Sequence, residues 1–139
     1  FNVVSLQILY NHATNGQLKD LIKEAIDEQT KSVMNDSEQH LQEGGSTLPS
    51  LHFAQRKLHD TPLSIPDDAR LTDKEIALAL TAMAKASQTA LLTAMHQCYQ
   101  LNVAMTYRKT LDRGLDWNYK LLQLMLNQGW LPHMAKVEH

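Results

Sequence analysis

Four α-helices, paired as two hairpins around one long crossover, are the architecture this sequence predicts, and three observations predict it. Apolar residues recur every three to four positions through four separate stretches, the period of helices that each bury one face. No stretch alternates apolar and polar residues as a half-buried strand would. The helix-breaking positions Asn15-Gly16, Gly44-Gly45, Pro49, Pro62, Pro66, Gly129 and Pro132 fall between those stretches.

The first helix is read over residues 3–13 and ends at the Asn15-Gly16 turn. The second, 17–43, carries Leu18, Ile22, Ala25 and Ile26 on one face and ends at Gly44-Gly45. The third, 73–98, has the best-defined start: Thr72 can accept from the backbone N–H of Glu75 while the Glu75 carboxylate reaches back to the Thr72 N–H, a capping box. Its apolar stripe is Ile76, Ala79, Leu80, Met83, Ser87, Ala90, Leu91, Ala94 and Cys98, and its alanines allow a close neighbour. The fourth, 103–128, closes at "NQGWLP", where Gly129 can turn left-handed and Pro132 prevents continuation. Between the third and fourth helices "CYQLNVA" has neither Gly nor Pro. The break is placed at 100–102 because one uninterrupted helix would far exceed the ordinary globular length.

The fourth helix presents Val103, Tyr107, Leu111, Gly114, Trp117, Leu121, Leu122 and Met125 across a broad apolar face, with Lys109, Asp112, Asp116, Lys120 and Gln123 opposite. A face that wide can serve a core and a subunit contact together, so a homodimer through it is expected. The connector 44–72 is long for a compact domain. A second helix about 40 Å long requires a return path of that size. Leu51, Phe53, Leu58, Leu63 and Ile65 give the connector apolar positions with which to lie on the bundle. Short turns within each hairpin and one long crossover are the connectivity of a ferritin-like four-helix bundle, so the expected fold class is all-α and ferritin-like, with 1–139 as one domain.

At 139 residues the chain can bury one core. Its formal charge of −2, with Lys and Arg scattered, lacks the concentrated positive patch that a phosphate backbone needs, so nucleic acid is not an expected partner. The single cysteine, Cys98, excludes an internal disulfide and a cysteine-based zinc site and fits a reducing, cytoplasmic compartment. "FNVVSLQILY" is too short to span a bilayer and lacks a basic flank, so no membrane association is expected of it. The chain begins at Phe1 rather than Met, and upstream residues are expected to be missing, with the first helix cut short.

The run "LTDKEIALAL" opening a helix, a second helix beginning near "LNVAM", and its close at "NQGWLP" resemble the spore coat protein F group and related ferritin-like families of Gram-positive bacteria. The resemblance spans about residues 16–132 and implies a ferritin-like bundle, with spore-coat association known for some members. Bundles of this type often hold two metal ions with a Glu from each of two helices and a Glu-x-x-His from each of the others, since residues three apart share a helix face. No Glu-x-x-His occurs in this sequence. The first helix has no carboxylate, those of the third (Asp73, Glu75) are at its cap, and those of the fourth (Asp112, Asp116) lie on its polar face. No metal ligand, cofactor or catalytic residue is therefore assigned.

Only the second helix offers inward oxygens. Gln29, Val33, Asp36 and His40 continue the stripe of Leu18, Ile22, Ala25 and Ile26, which turns polar toward its end. Asp36 and His40, four apart, could hold a metal or act as an acid–base pair with a group from another helix. They equally fit an i,i+4 contact at the solvated end of a helix that outruns its neighbours, the favoured reading, since two ligands from one helix do not make a site. Glu24, Asp27, Glu28 and Lys31 read as a solvated charged face. His52 and His59, two helical turns apart around "FAQRKL", could line a short helix in the crossover. No nucleophile elbow, P-loop or dinucleotide fingerprint is present.

The leading expectation is a non-enzymatic structural or interaction protein that self-associates through the fourth helix. The alternatives are a divergent metal-binding protein, an oxidase or metal store using Asp36 and His40 or upstream residues, and a small-ligand carrier lined by Met83, Met95, Tyr99 and Met105.

Overall fold

A computed structural model describes residues 2–44, 56–61 and 63–131, the side chains of 32–44 excepted. Four helices follow one another, α1 (Val3–His12), α2 (Gly16–Gly44), α3 (Asp73–Gln97) and α4 (Leu101–Gln128), and no strand occurs among the described residues. The all-α class with a long connection between α2 and α3 is thus observed. The chain divides into two compact units, Phe1–Leu71 and Thr72–His139.

In the first unit α1 packs on α2. Asn2 caps α1 by accepting from the N–H of Val4 at 2.9 Å. Asn15 does more than break the chain: its side chain accepts from the N–H of Leu18 at 3.0 Å and so caps α2. Leu6, Leu9, Tyr10 and Ala13 of the first hairpin arm and Leu18, Leu21, Ile22, Ala25 and Ile26 of the second are buried. The helical stripe expected on α2 is therefore real as far as its side chains are described. After the connector segment, Ala69 and Arg70 N–H groups both donate to the Pro66 carbonyl, forming the turn that delivers the chain to α3.

In the second unit α3 packs on α4. The capping box forms as expected: Thr72 Oγ1 accepts from the Glu75 N–H at 3.2 Å, and the Thr72 N–H donates to Glu75 Oε1 at 3.0 Å. Those hydrogen bonds from Thr72 hold the exposed Glu75 carboxyl below its ordinary pKa. Gly129 adopts φ 70°, and the N–H of Trp130 donates to the Met125 carbonyl at 3.0 Å, closing α4 where the sequence placed its end. The start of α4 falls at Leu101 rather than 103, with Gln100 as a cap that makes no side-chain bond, so no residue type marks that boundary.

The faces of α3 and α4 differ from the expected ones. Ile76, Ala77, Leu80 and Ala84 are the buried residues of α3, whereas Ala79 and Ala90 are exposed. The stripe is rotated by a fraction of a turn, which brings Ala77 and Ala84 into it in place of Ala79 and Ala90. On α4, Trp117, Leu121, Leu124 and Met125 are buried and Leu122 is exposed. Gly114 leaves room beside Gln88, whose buried Nε2 lies 3.9 Å from where a Cβ would stand and has no hydrogen-bond partner among the described residues. By length and composition alone α3 is apolar enough to cross a membrane.

Candidate functional site

Two features of the described residues go beyond ordinary helix packing, and the first is a polar anchor in the first unit. Lys19 is 5% exposed. Its Nζ donates to the Tyr10 carbonyl at 2.7 Å and to the His59 carbonyl at 2.9 Å, and it lies 4.2 Å from the centroid of the Tyr10 ring. The Tyr10 hydroxyl donates to Asp60 Oδ1 at 2.7 Å. That bond to a carboxylate, with burial and the nearby negative charge of Asp60 and Asp20, pushes the Tyr10 phenol up to about 12.

Around this pair the side chains of α1 read the backbone of the connector. Asn11 donates from Nδ2 to the Lys57 carbonyl at 3.0 Å and accepts from the His59 N–H at 2.9 Å. Gln7 Oε1 accepts from the Arg56 N–H at 3.1 Å. Farther along, Arg70 donates to the carbonyls of His12, at 3.0 Å, and Leu63, and His12 Nδ1 accepts from the Leu71 N–H at 3.1 Å. The described connector residues 56–61 and 63–71 form no helix or strand and must place their backbone polar groups elsewhere, and side chains of α1 and α2 take several of them. Lys19 was not a candidate on the sequence reading. The available signal was its position three before Ile22 and seven before Ile26, which puts a lysine on the buried stripe.

The second feature is an outer apolar side of α4. Leu101, Met105, Leu115, Tyr119, Leu122 and Leu126 are 76, 52, 37, 67, 41 and 57% exposed. The broad apolar face expected from the sequence is two faces. One buries Trp117, Leu121, Leu124 and Met125, and the other looks away from them. At the turn preceding this helix Tyr99 is fully exposed, so Tyr99 and Met105 do not line an enclosed interior as the carrier reading required.

The remaining candidates fall as follows. Asp36 and His40 belong to α2, but their side chains, like that of Val33, lie outside the described residues, as do Leu51, His52 and Phe53. His59 is in irregular backbone rather than a short helix, and its main chain, not its imidazole, is engaged by Lys19 and Asn11. Lys23, Asp27, Glu28 and Lys31 are exposed on α2 and, with Asp20 and Glu24, line a shallow groove of about 330 Å³. Asp112 and Asp116 are both exposed, and Asp112 shares the outer side of α4 with Met105 and Leu115. Among the described residues no three His, Cys, Asp or Glu side chains converge, so they do not supply the donor set of a di-metal bundle.

Helical content, two helical hairpins and the connection between them define the class of this protein as all-α with four helices. More particularly, the chain belongs to the family described as protein of unknown function DUF3231, whose model matches residues 1–138. It is 29% identical over 131 residues to Uncharacterized protein YvdQ of Bacillus subtilis strain 168, covering 93% of this chain and 74% of that protein. The crystal structure of a Bacillus halodurans C-125 protein provisionally named a spore coat protein matches with a TM-score of 0.79 at 24% identity, over 97% of this chain and 83% of the other. At that identity the likeness shows the shared fold. The expected kinship with a Bacillus-type Gram-positive family that has a spore-coat-named structural relative is borne out by these matches.

Proposed function

We propose that this protein is a non-enzymatic structural or interaction protein of ferritin-like connectivity that self-associates through the outer face of α4. The observation that carries the reading is that face itself: six large apolar side chains on one helix are between 37 and 76% exposed. Monomeric proteins rarely leave so many large apolar side chains along one side of a helix in water, because covering them is favourable. The spore-coat name of the Bacillus halodurans relative supports an assembly role by analogy. The polar side chains of the first unit support it too, since Lys19, Tyr10, Asn11 and Gln7 each hydrogen-bond the connector. Its lone Cys98 suits a reducing cytoplasm.

Sedimentation velocity across a concentration series tests the proposal. The wild-type protein sediments as a dimer or larger at micromolar concentration, and Leu122→Lys with Leu126→Lys shifts it toward monomer while its circular dichroism is unchanged. A wild-type protein that stays monomeric throughout overturns the reading. So does near-stoichiometric Fe, Mn or Zn retained after anaerobic loading and desalting and lost in Asp36→Ala or His40→Ala. That result would establish the metal-binding alternative.

A further inference from the structure

The outer face of α4 has an internal symmetry that specifies its partner. At about 100° per residue, Leu101, Met105, Arg108, Asp112, Leu115 and Tyr119 lie within an arc of about 80°. They are spaced four, three, four, three and four apart, the interval of a helix-to-helix seam, and all six are exposed. They also form three pairs with one common centre: 108 and 112, 105 and 115, and 101 and 119 are each symmetric about position 110.

We infer that the partner of this face is a second copy of the same chain, with its α4 antiparallel to the first and a two-fold axis passing near position 110. In an isologous antiparallel pair a residue n places before the centre meets the residue n places after it on the other copy. Arg108 of each copy then meets Asp112 of the other, Met105 meets Leu115, and Leu101 meets Tyr119. Within these six positions every apolar residue faces an apolar one and the Arg108–Asp112 pair forms twice, once on each side of the axis, while Leu122 and Leu126 continue the same side beyond the matched stretch. The matched stretch is about 27 Å long at 1.5 Å per residue.

The charges select this arrangement from its competitors. Parallel pairing in register would place Arg108 beside Arg108 and Asp112 beside Asp112, which repel. Shifting the antiparallel helices by one helical turn would bring Arg108 or Asp112 against leucine or methionine and bury a charge without a partner. Within one helix an Arg four residues before an Asp is the weaker orientation for a surface pair, so the order of these two residues gains little from an isolated α4. The two copies turn it to use. This rests on the self-association proposed above and adds its geometry.

Charge exchange tests it by sedimentation velocity on the full chain. Arg108→Glu alone and Asp112→Arg alone each place two like-charged contacts at the centre and weaken the dimer about tenfold. The double variant Arg108→Asp with Asp112→Arg restores wild-type affinity, and an equimolar mixture of the two single variants associates more tightly than either alone. Both positions are exposed, so folding is retained and is checked by circular dichroism. A wild-type dimer indifferent to all of these changes, yet dissociated by Leu122→Lys with Leu126→Lys, overturns the antiparallel register and leaves self-association through α4 standing. A wild-type monomer overturns both.

Discussion

Replacing Lys19 by methionine keeps most of the side chain's length and packing and removes only the ammonium. In the wild-type protein Nζ satisfies two carbonyls, of Tyr10 at 2.7 Å and of His59 at 2.9 Å, and lies over the Tyr10 ring. A charge-assisted bond contributes about 1.5–3 kcal/mol, and the cation–π contact about 0.5–1 kcal/mol. Against this stands the cost of desolvating the ammonium at a position only 5% exposed, which the methionine does not incur. His59 is half-buried, so its freed carbonyl recovers water in part. The balance is a loss of about 2–3 kcal/mol, with the connector bearing most of it, since the Lys19–His59 bond ties residues 40 apart in the chain. Urea unfolding measures the total, and hydrogen exchange at the amides of Arg56 and His59, which donate to Gln7 and Asn11, reports whether the connector loosens first. A Lys19→Met protein within about 0.5 kcal/mol of wild type, with those amides still protected, would refute the anchor, because such a change is no larger than an ordinary surface substitution.

Tyr10 supplies a pH signature of the same anchor. Because the folded state holds its phenol near 12, above the ordinary 10.0, the stability it contributes is complete below pH 10 and is lost as pH rises from 10 toward 12. Tyrosinate absorbance should show one phenol titrating near 12 that Tyr10→Phe removes, at a cost of about 1–2 kcal/mol below pH 10. An unchanged titration curve in the variant would contradict the assignment. Gly114→Ala should stabilise the protein by about 0.5–1 kcal/mol, since Gly114 sits in the interior of α4 with ordinary backbone angles and the added Cβ meets only Gln88 Nε2 at 3.9 Å. Thermal melting checks the sign, and a lowered midpoint would mean that the two helices approach too closely there to admit a methyl.

The sequence by itself determined the number of helices, their order, the start of α3 and the end of α4. Thr72 and Glu75, Gly129 and the helical period of Leu18, Ile22, Ala25 and Ile26 act within one or two turns of chain, so their chemistry is legible in a short window. The family likeness carried by "LTDKEIALAL" and "NQGWLP" was legible for the same reason. Tertiary structure decided which side of each helix is inside. The helix α4 is apolar on two faces and α3 is apolar through alanine nearly all round, so periodicity alone placed Ala79, Ala90 and Leu122 inward, whereas Ala77, Ala84 and Leu124 are the ones buried. It also decided the role of Lys19. A lysine among leucines reads as a surface residue until the connector brings a carbonyl to meet it. Local sequence can encode the helix that holds a charge, but not the distant backbone that makes burying that charge favourable.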